Sequence, residues 1–321
     1  MDIAEAIEYR CDLCGGSSYT TDIPDVADNS GRAQELFSIV RCDSCGHFST
    51  QPAPKPELMA RYYPSQYYAH VDTAGTGKDR LKWYLKGKCY RGAAAGAEAV
   101  SVAMCGRLGR ILAEPPPVEN GRLLDVGCGA GEYVAFAQSQ GWRVSGVETD
   151  DEAVEVGSKR GLDIVQGMAE SLPFENGTFD VVRLWQVLEH TYSPTKVIAE
   201  INRIMKPGGH LLLSVPNFGG AQRRVLGKCW PHLDVPRHLH HFTAETLDRV
   251  LTAGSLCKVQ NLYSGLPFFE LRWRMAVCRL QGLDSASAVK LVLKSVIRES
   301  AGRLAGNKDG VYLTWWVQKP V

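Results

Sequence analysis

The sequence predicts an α/β protein with a Rossmann-like sheet, a small N-terminal zinc-ribbon module and a helical lid. Strand-like and helix-like runs alternate from Arg122 onward, the pattern of a parallel sheet with helices on both faces. Two Cys-x-x-Cys-Gly elements, "CDLCGG" and "CDSCGH", open the chain. An amphipathic stretch, "SASAVKLVLKSVIRES", interrupts the last two strand-like runs. These features divide the chain into a zinc-binding module (1–56), a helical linker or lid (57–118) and a main domain (119–321). The main domain carries insertions near 217–242 and 265–307.

In each cysteine element a tight turn aims two thiolates at one point, and the glycine accepts the positive φ that the turn needs. Cys11 and Cys14 with Cys42 and Cys45 complete a tetrahedral set of four thiolates for a structural Zn²⁺. The 27 residues between the pairs leave room for a long hairpin. A redox dithiol is the competing reading. Cys89, Cys105, Cys128, Cys229, Cys257 and Cys278 follow no ligand spacing and are expected to be packing residues.

"STQPAPKPE" is a stiff extended linker, followed by "LMARYYPSQYYAH" and a basic, helical stretch to Leu112; "AEPPPVENG" marks the next boundary. Beyond it "RLLDV", "RVSGVE", "DIVQ", "FDVVRLW" and "HLLLSVP" read as strands, and "CKVQNLYS" and "YLTWWVQ" as two late ones. "GEYVAFAQSQG", "DEAVEVGSKRG", "SPTKVIAEINRIM" and "TAETLDRVLTAG" read as helices, with Ser193 and Thr243 as N-caps and Pro194 at the first helical position.

The turn in "LLDVGCGAGEYV" carries Gly127, Gly129 and Gly131, which bring the backbone close to a ligand and present N–H groups to it. A nucleotide cofactor is the first hypothesis. The third glycine of a dinucleotide fingerprint would fall at Glu132, and Asp125 ends the strand where a pyrophosphate would lie. A carboxylate there repels a pyrophosphate and suits a ligand bearing an ammonium and a sulfonium. Glu148, 21 residues after Gly127, closes the second strand and can accept hydrogen bonds from ribose hydroxyls. The combination favours S-adenosylmethionine (SAM) over NAD.

Here the chain resembles the class I SAM-dependent methyltransferases. The resemblance runs from about Arg122 to Val215 and includes "DVGCGAG", the acidic end of "VSGVE", "SLPFENGTFDVV", "VLEH" and "KPGG" in order and spacing. It implies that Asp125, Gly127 and Gly129 lie by the methionine part and ribose, Glu148 on the ribose, and Gln186 beneath the methionine end. In "QGMAES" many relatives carry Asp at the position of Met168, which leaves Met168 and Ala169 to pack on the adenine and offer backbone groups. The cysteine pairs, "YYPSQYY" and "DVPRHLHHF" also resemble a bacterial branch with a zinc-binding N-terminus that acts on sugars and natural products. Some members C-methylate nucleotide-linked deoxysugars, but their Pro-Leu-Ala-Asn element is absent here.

"PHLDVPRHLHHF" (231–242) holds His232, His238, His240 and His241 and follows the fifth strand, at the carboxyl edge where ligands bind. Transfer of a methyl group from a sulfonium requires alignment of an acceptor and removal of its proton, a task that suits histidine. The resemblance places the base at His238; His241 is the second choice, and His190, in "VLEH" after the fourth strand on the same edge of the sheet, is the third. A metal set from His238, His240, His241 and Asp234 is an alternative without specific spacing. Tyr62, Tyr63, Tyr67 and Tyr68 either close over the cofactor or pack the linker, and Arg223, Arg224 and Lys228 are candidates to meet an anionic acceptor.

A net charge of +1 gives no global signature of a nucleic-acid binder. Two basic regions, Lys78 to Arg110 and Ser264 to Arg303, hint at a phosphate on the acceptor. No run reaches the roughly 20 apolar residues of a membrane span. The acidic start MDIAEAIEYR is not a signal peptide, so a cytoplasmic location is expected. Lys290, Lys294 and Arg298 recur every four residues opposite Val292 and Val296, on a helix that packs as a lid or meets a lipid-linked acceptor. The sequence therefore points to methylation of a small-molecule hydroxyl, on a sugar or other metabolite, with C- or N-methylation open. An RNA methyltransferase that uses the zinc ribbon, and a non-catalytic SAM-binding interaction protein, are the alternatives.

Overall fold

In the computed structural model, residues 6–31, 34–63, 118–264, 271–304 and 310–321 are described. Tyr67, Tyr68, Cys89, Cys105, the Lys78–Arg110 basic run and most of the expected 57–118 unit lie outside them.

Extended residues dominate the N-terminal module, which forms β1 (Ala6–Ile7), β2 (Tyr19–Ala27), β3 (Leu36–Cys42), β4 (Phe48–Gln51), β5 (Ala53–Pro54) and the short α1 (Pro56–Met59). The spacing between the cysteine pairs is filled by the antiparallel β2–β3 hairpin. Both cysteine turns close on a glycine of positive φ, Gly15 at 73° and Gly46 at 75°, as the sequence requires.

The main domain then runs β6 (Arg122–Val126), α2 (Glu132–Ser139), β7 (Arg143–Glu148), α3 (Asp151–Lys159), β8 (Ile164–Gln166), β9 (Phe179–Trp185) and α4 (Pro194–Ile204). It continues through β10 (Met205–Pro216), α5 (Ala221–Leu226), β11 (His240–His241), α6 (Ala244–Ala253) and β12 (Cys257–Ser264). The chain ends with α7 (Leu271–Leu280), α8 (Ser285–Leu304) and β13 (Tyr312–Gln318). The main sheet has the order β12-β13-β10-β9-β6-β7-β8. It is mixed rather than wholly parallel, because β13 enters between β10 and β12 and runs against both. An apolar run signals a buried strand but carries no direction, so the sequence pattern alone does not reveal the reversal.

Val197, Ile198 and Ile201 of α4 and Leu247 and Val250 of α6 bury one face of the sheet, with Leu184, Leu211 and Leu213. Tyr133, Phe136 and Ala137 of α2 cover the other with Leu123 and Val181. This is the helix-on-both-faces packing expected of the Rossmann-like class.

A second core joins three distant segments. Val26, Phe37 and Ile39 of the N-terminal module meet Trp230, Leu233 and Val235 of the histidine loop and Cys278, Ala288 and Val292 of α7 and α8. Strand β11 pairs with β4, so the sheet of the N-terminal module reads β11-β4-β3-β2 and includes residues from the main domain. Among the remaining cysteines, Cys128, Cys229 and Cys278 are buried as expected, whereas Cys257 is exposed on an edge strand.

Both expected helix N-caps sit at the predicted positions, but only Thr243 uses its own side chain, in a capping box with Thr246. At α4 the Ser193 hydroxyl instead donates to Asp12 Oδ1 (2.6 Å), and Asp12 Oδ2 accepts the Thr195 N–H (2.9 Å). The cap comes from the first cysteine turn because the module docks there, and a carboxylate at a helix N-terminus is favoured by the exposed N–H groups. Asp12→Ala is expected to cost about 1 kcal/mol of stability, read as a lower urea midpoint with an unchanged slope.

Candidate functional site

Strand β6 delivers Asp125 and the glycine turn to the carboxyl edge of the sheet, and β7 delivers Glu148 beside it. Gly127 has φ of 69°, and a Cβ built there would stand 2.4 Å from Cγ2 of Val187. The turn therefore needs glycine both for its backbone angle and for close approach to the segment after β9. Glu148 Oε1 accepts the N–H groups of Thr149 (2.7 Å) and Asp150 (3.2 Å), and Oε2 accepts the Gly129 N–H (2.9 Å). These bonds fix the carboxylate at the turn and leave acceptor capacity on Oε2, a fit to a ribose hydroxyl.

Asp125 is 1% exposed and forms an ion pair with Arg183 (Nη1–Oδ1 2.7 Å), whose guanidinium lies 4.0 Å from the Tyr133 ring centre. Its charge is matched within the protein beneath the turn. The sequence conceals this partner because Arg183 lies 58 residues away on the neighbouring strand. Gln186 adopts φ of 56°, its N–H donates to the Ser214 carbonyl (2.8 Å), and its side-chain amide reaches Ser214 Oγ (3.2 Å). Met168 is 54% exposed and Ala169 is buried. The bridge between Met168 and Ser171 holds that turn.

The histidine stretch separates into two roles. His240 and His241 form β11: His240 Nδ1 lies 2.9 Å from His47 Nε2, and His241 Nε2 lies 2.9 Å from Thr50 Oγ1. All three rings are buried, and desolvation holds each well below the ordinary imidazole range, His240 at about 4. They join the N-terminal module to the main domain. His240 and His241 are thus engaged away from the metal set considered with His238 and Asp234.

His238 lies instead beside His190, ring centres 4.5 Å apart and edge to face. The Leu239 N–H donates to the Glu189 carbonyl (2.8 Å), which clamps the loop to the turn after β9. His238 Nδ1 is 2.9 Å from the His232 carbonyl, and His190 Nδ1 is 3.0 Å from the Arg237 carbonyl. A carbonyl only accepts, so each Nδ1 carries the proton and each Nε2 holds a lone pair. Burial pushes His238 down to about 3 and lowers His190 as well, so both rings are neutral.

Glu189 is a residue that sequence reasoning missed. It is 1% exposed, both its oxygens are buried without a hydrogen-bond partner among the described residues, and burial pushes it up to about 8. Its signal was its place in "VLEH" next to His190. Asp234 is tied to Arg237 by two bonds (2.6 and 3.1 Å), and Arg237 also reaches Asp28 (3.1 Å) and the Tyr62 carbonyl (2.6 Å). Tyr63 Oη lies 3.2 Å from His190 Nδ1, while Tyr62 packs edge to face on Phe37. Arg223 pairs with Asp22 and stacks on Phe218, Arg224 donates to the Gly219 carbonyl, and Lys228 is exposed.

At the other site, Cys11, Cys14, Cys42 and Cys45 bring their sulfurs within 4.8 Å of one another, with Cys11–Cys45 at 3.5 Å and Cys14–Cys42 at 3.6 Å. Zn–S bonds of about 2.3 Å in a tetrahedron place sulfurs about 3.8 Å apart, so the set fits one zinc ion. Burial raises the Cys42 thiol, but the amides of Cys45 and Ser44 outweigh it and bring it down to about 6.

Residues 97–254 match the family model described as "Methyltransferase domain". The matched stretch, 158 of the 321 residues, is similar to that domain family. The ubiquinone biosynthesis O-methyltransferase of Xanthomonas oryzae pv. oryzae is 33% identical over 130 residues, which cover 38% of this chain and 54% of the relative. An uncharacterized 37.1 kDa protein in transposon TN4556 of Streptomyces fradiae is 31% identical over 139 residues, 41% of this chain and 38% of that protein. The chain thus spans about half or less of the curated relatives it matches. Among solved structures, a SAM-dependent methyltransferase from Methanosarcina mazei is similar, with a TM-score of 0.44 and 18% identity over 64% of this chain and 95% of that one. The 4+2 cyclase SpnF is similar too, with a TM-score of 0.44 and 23% identity over 68% and 80% of the two chains. The strand order β12-β13-β10-β9-β6-β7-β8 with its reversed β13 is that of the Rossmann-like class I methyltransferase fold.

Gly127→Ala is expected to abolish SAM binding by calorimetry, because the new Cβ meets Val187 and the left-handed backbone is penalised. Val187→Ala in the same chain is expected to restore part of it, leaving a residual cost of about 1–2 kcal/mol from the backbone angle.

Proposed function

We propose that this protein is a SAM-dependent methyltransferase acting on a hydroxyl of a small-molecule acceptor, a sugar or natural-product metabolite. The acceptor's proton is removed at the His190–His238 pair, the place where the sequence puts a histidine base. One observation carries the reading. The glycine turn contacts Val187, and two residues later the same segment presents Glu189 and His190 to His238, so donor and acceptor sides adjoin at one sheet edge.

When bound, SAM supplies an electrophilic methyl group on its sulfonium. Glu148 would hold the ribose, Gly127, Gly129 and Gly131 would give the backbone room, and Asp125 would keep the turn in place through Arg183. Gln186 would lie beneath the methionine end, and Met168 and Ala169 along the adenine. His241, bonded to Thr50, supports the loop that carries His238. The O-methyl transfer named in the Xanthomonas relative supports a hydroxyl acceptor over carbon or nitrogen.

Structural zinc on the four cysteines belongs to the same reading, and so does a cytoplasmic setting, where thiols remain reduced. No helix of the described residues is long and apolar enough to cross a membrane. The outer face of α8 exposes Val289, Leu293 and Ile297, a face that a lipid-linked acceptor would meet.

The test is transfer of isotopically labelled methyl from SAM into extracts of the source cells, followed into soluble, lipid and RNA fractions. Label in a soluble metabolite is expected, with turnover lost by at least about a hundredfold and SAM affinity retained in His238→Ala. Label in RNA would displace this reading in favour of an RNA acceptor. Absence of label in every fraction, with SAM bound and candidate hydroxylated acceptors supplied, would leave a SAM sensor. A separate check concerns zinc: stripping it with a chelator at elevated temperature is expected to release one ion per chain and lower the melting temperature, and Cys42→Ser should reproduce the loss.

A further inference from the structure

The buried acceptor-side cluster poses a problem that hydrogen bonding within the protein does not solve. Glu189, His190 and His238 each bring one ligand atom within 4.8 Å of the other two. Yet neither oxygen of Glu189 makes a hydrogen bond to either ring, or to any other described group. An ionised carboxylate buried without a donor is costly, and a cation drawn to Glu189 supplies the partner that its oxygens lack among the described residues.

The imidazoles are prepared for the same visitor. Both Nδ1 atoms are occupied by backbone carbonyls, of His232 for His238 and of Arg237 for His190. This fixes the tautomer that leaves a lone pair on each Nε2 and orients each ring, the arrangement around metal-bound histidines; Nε2 of His238 stands 3.8 Å from Asp234 Oδ2, so that carboxylate also faces the cluster. Arg237 is held by Asp234 and by the Tyr62 carbonyl, so its charge is directed to those partners. Two neutral imidazoles and one carboxylate form a donor set suited to a divalent transition-metal ion with open positions.

We propose that Glu189, His190 and His238 bind a divalent transition-metal ion at the acceptor end of the site, separate from the four-cysteine zinc site. The proposal rests on the hydroxyl-methylation reading for its role and replaces the histidine base in it: the metal acidifies the acceptor hydroxyl and the histidines serve as ligands. A Lewis acid at this point lowers the pKa of an acceptor hydroxyl. The O–H bond breaks with its electron pair kept on oxygen, and the proton passes to solvent water. The oxygen then takes the methyl group as the C–S bond of the donor breaks with its pair on sulfur. His190 and His238 act as ligands here, which suits neutral rings, His238 buried and His190 half-buried.

The probe is cobalt(II) titrated into full-length protein whose cysteine site is already filled with zinc, read by the visible ligand-field band and by calorimetry. One cobalt ion per chain is expected, with a nitrogen- and oxygen-type spectrum lacking thiolate charge-transfer intensity. Glu189→Gln and His190→Asn are each expected to weaken binding about tenfold or more, while zinc content stays at one per chain. Absence of the band in the wild-type protein overturns the proposal, as does unchanged cobalt affinity in a folded Glu189→Gln variant, or a spectrum showing thiolate ligation. The wild-type titration decides even where a variant fails to fold, which near-UV circular dichroism would show. Cobalt binding needs neither methyl donor nor acceptor, so it can fail while methyl transfer stands, or stand where no methyl transfer is found.

Discussion

The pairing of the two-residue strand His240–His241 with Phe48–Ser49 is the contact on which the acceptor side depends. A three-stranded module of this size buries little apolar surface alone, and a loop rich in polar side chains cannot be buried unless its backbone groups are paired. One short strand addresses both needs. Leu239, just before it, offers its carbonyl to the Thr50 N–H (2.9 Å) and its own N–H to the Glu189 carbonyl (2.8 Å). A single residue therefore bridges the N-terminal module and the turn after β9, and His238 is carried into place beside His190.

The electrostatics of the loop reinforce this placement. Arg237 is 4% exposed and binds Asp234, Asp28 and the Tyr62 carbonyl, so a buried cation is compensated by groups from both modules. Breaking such a buried pair typically costs about 3–5 kcal/mol, because the remaining charge is stranded. Glu189 stands in contrast. It is equally buried, yet neither of its oxygens has a hydrogen-bond partner among the described residues. The difference separates a structural ionic tie from the group on which the proposed metal site rests.

Much of the fold was legible because it is local. The bounds of "RLLDV", "RVSGVE", "FDVVRLW", "CKVQNLYS" and "YLTWWVQ" coincide with strands, since period and flanking turns sit within each segment. The glycine turn and Glu148 were legible for the same reason: spacing of about 20 residues within one βαβ unit fixes their relation. What escaped is long-range. Arg183 on Asp125, Asp12 on the α4 N-terminus and His47 on His240 join residues separated by 58, 183 and 193 positions. Four histidines in twelve residues look alike in sequence. Only pairing with β4 tells His240 and His241, which build a strand, from His238, which faces His190.

The turn after β9 couples the two halves of the site. Gln186 takes a left-handed backbone angle, unusual for a side chain of its size, and its N–H is held by Ser214 of β10. Val187 then presses on Gly127 of the donor-side turn, while Glu189 and His190 face the acceptor-side loop. Five consecutive residues thus contact the cofactor-facing turn at one end and the histidine pair at the other. Groups that share so short a segment are not energetically independent, since shifting Val187 by a few tenths of an ångström also moves the atoms that Glu189 and His190 offer. In the proposed reaction, positioning of the donor and activation of the acceptor are then one geometric condition, set by how closely this turn approaches Gly127.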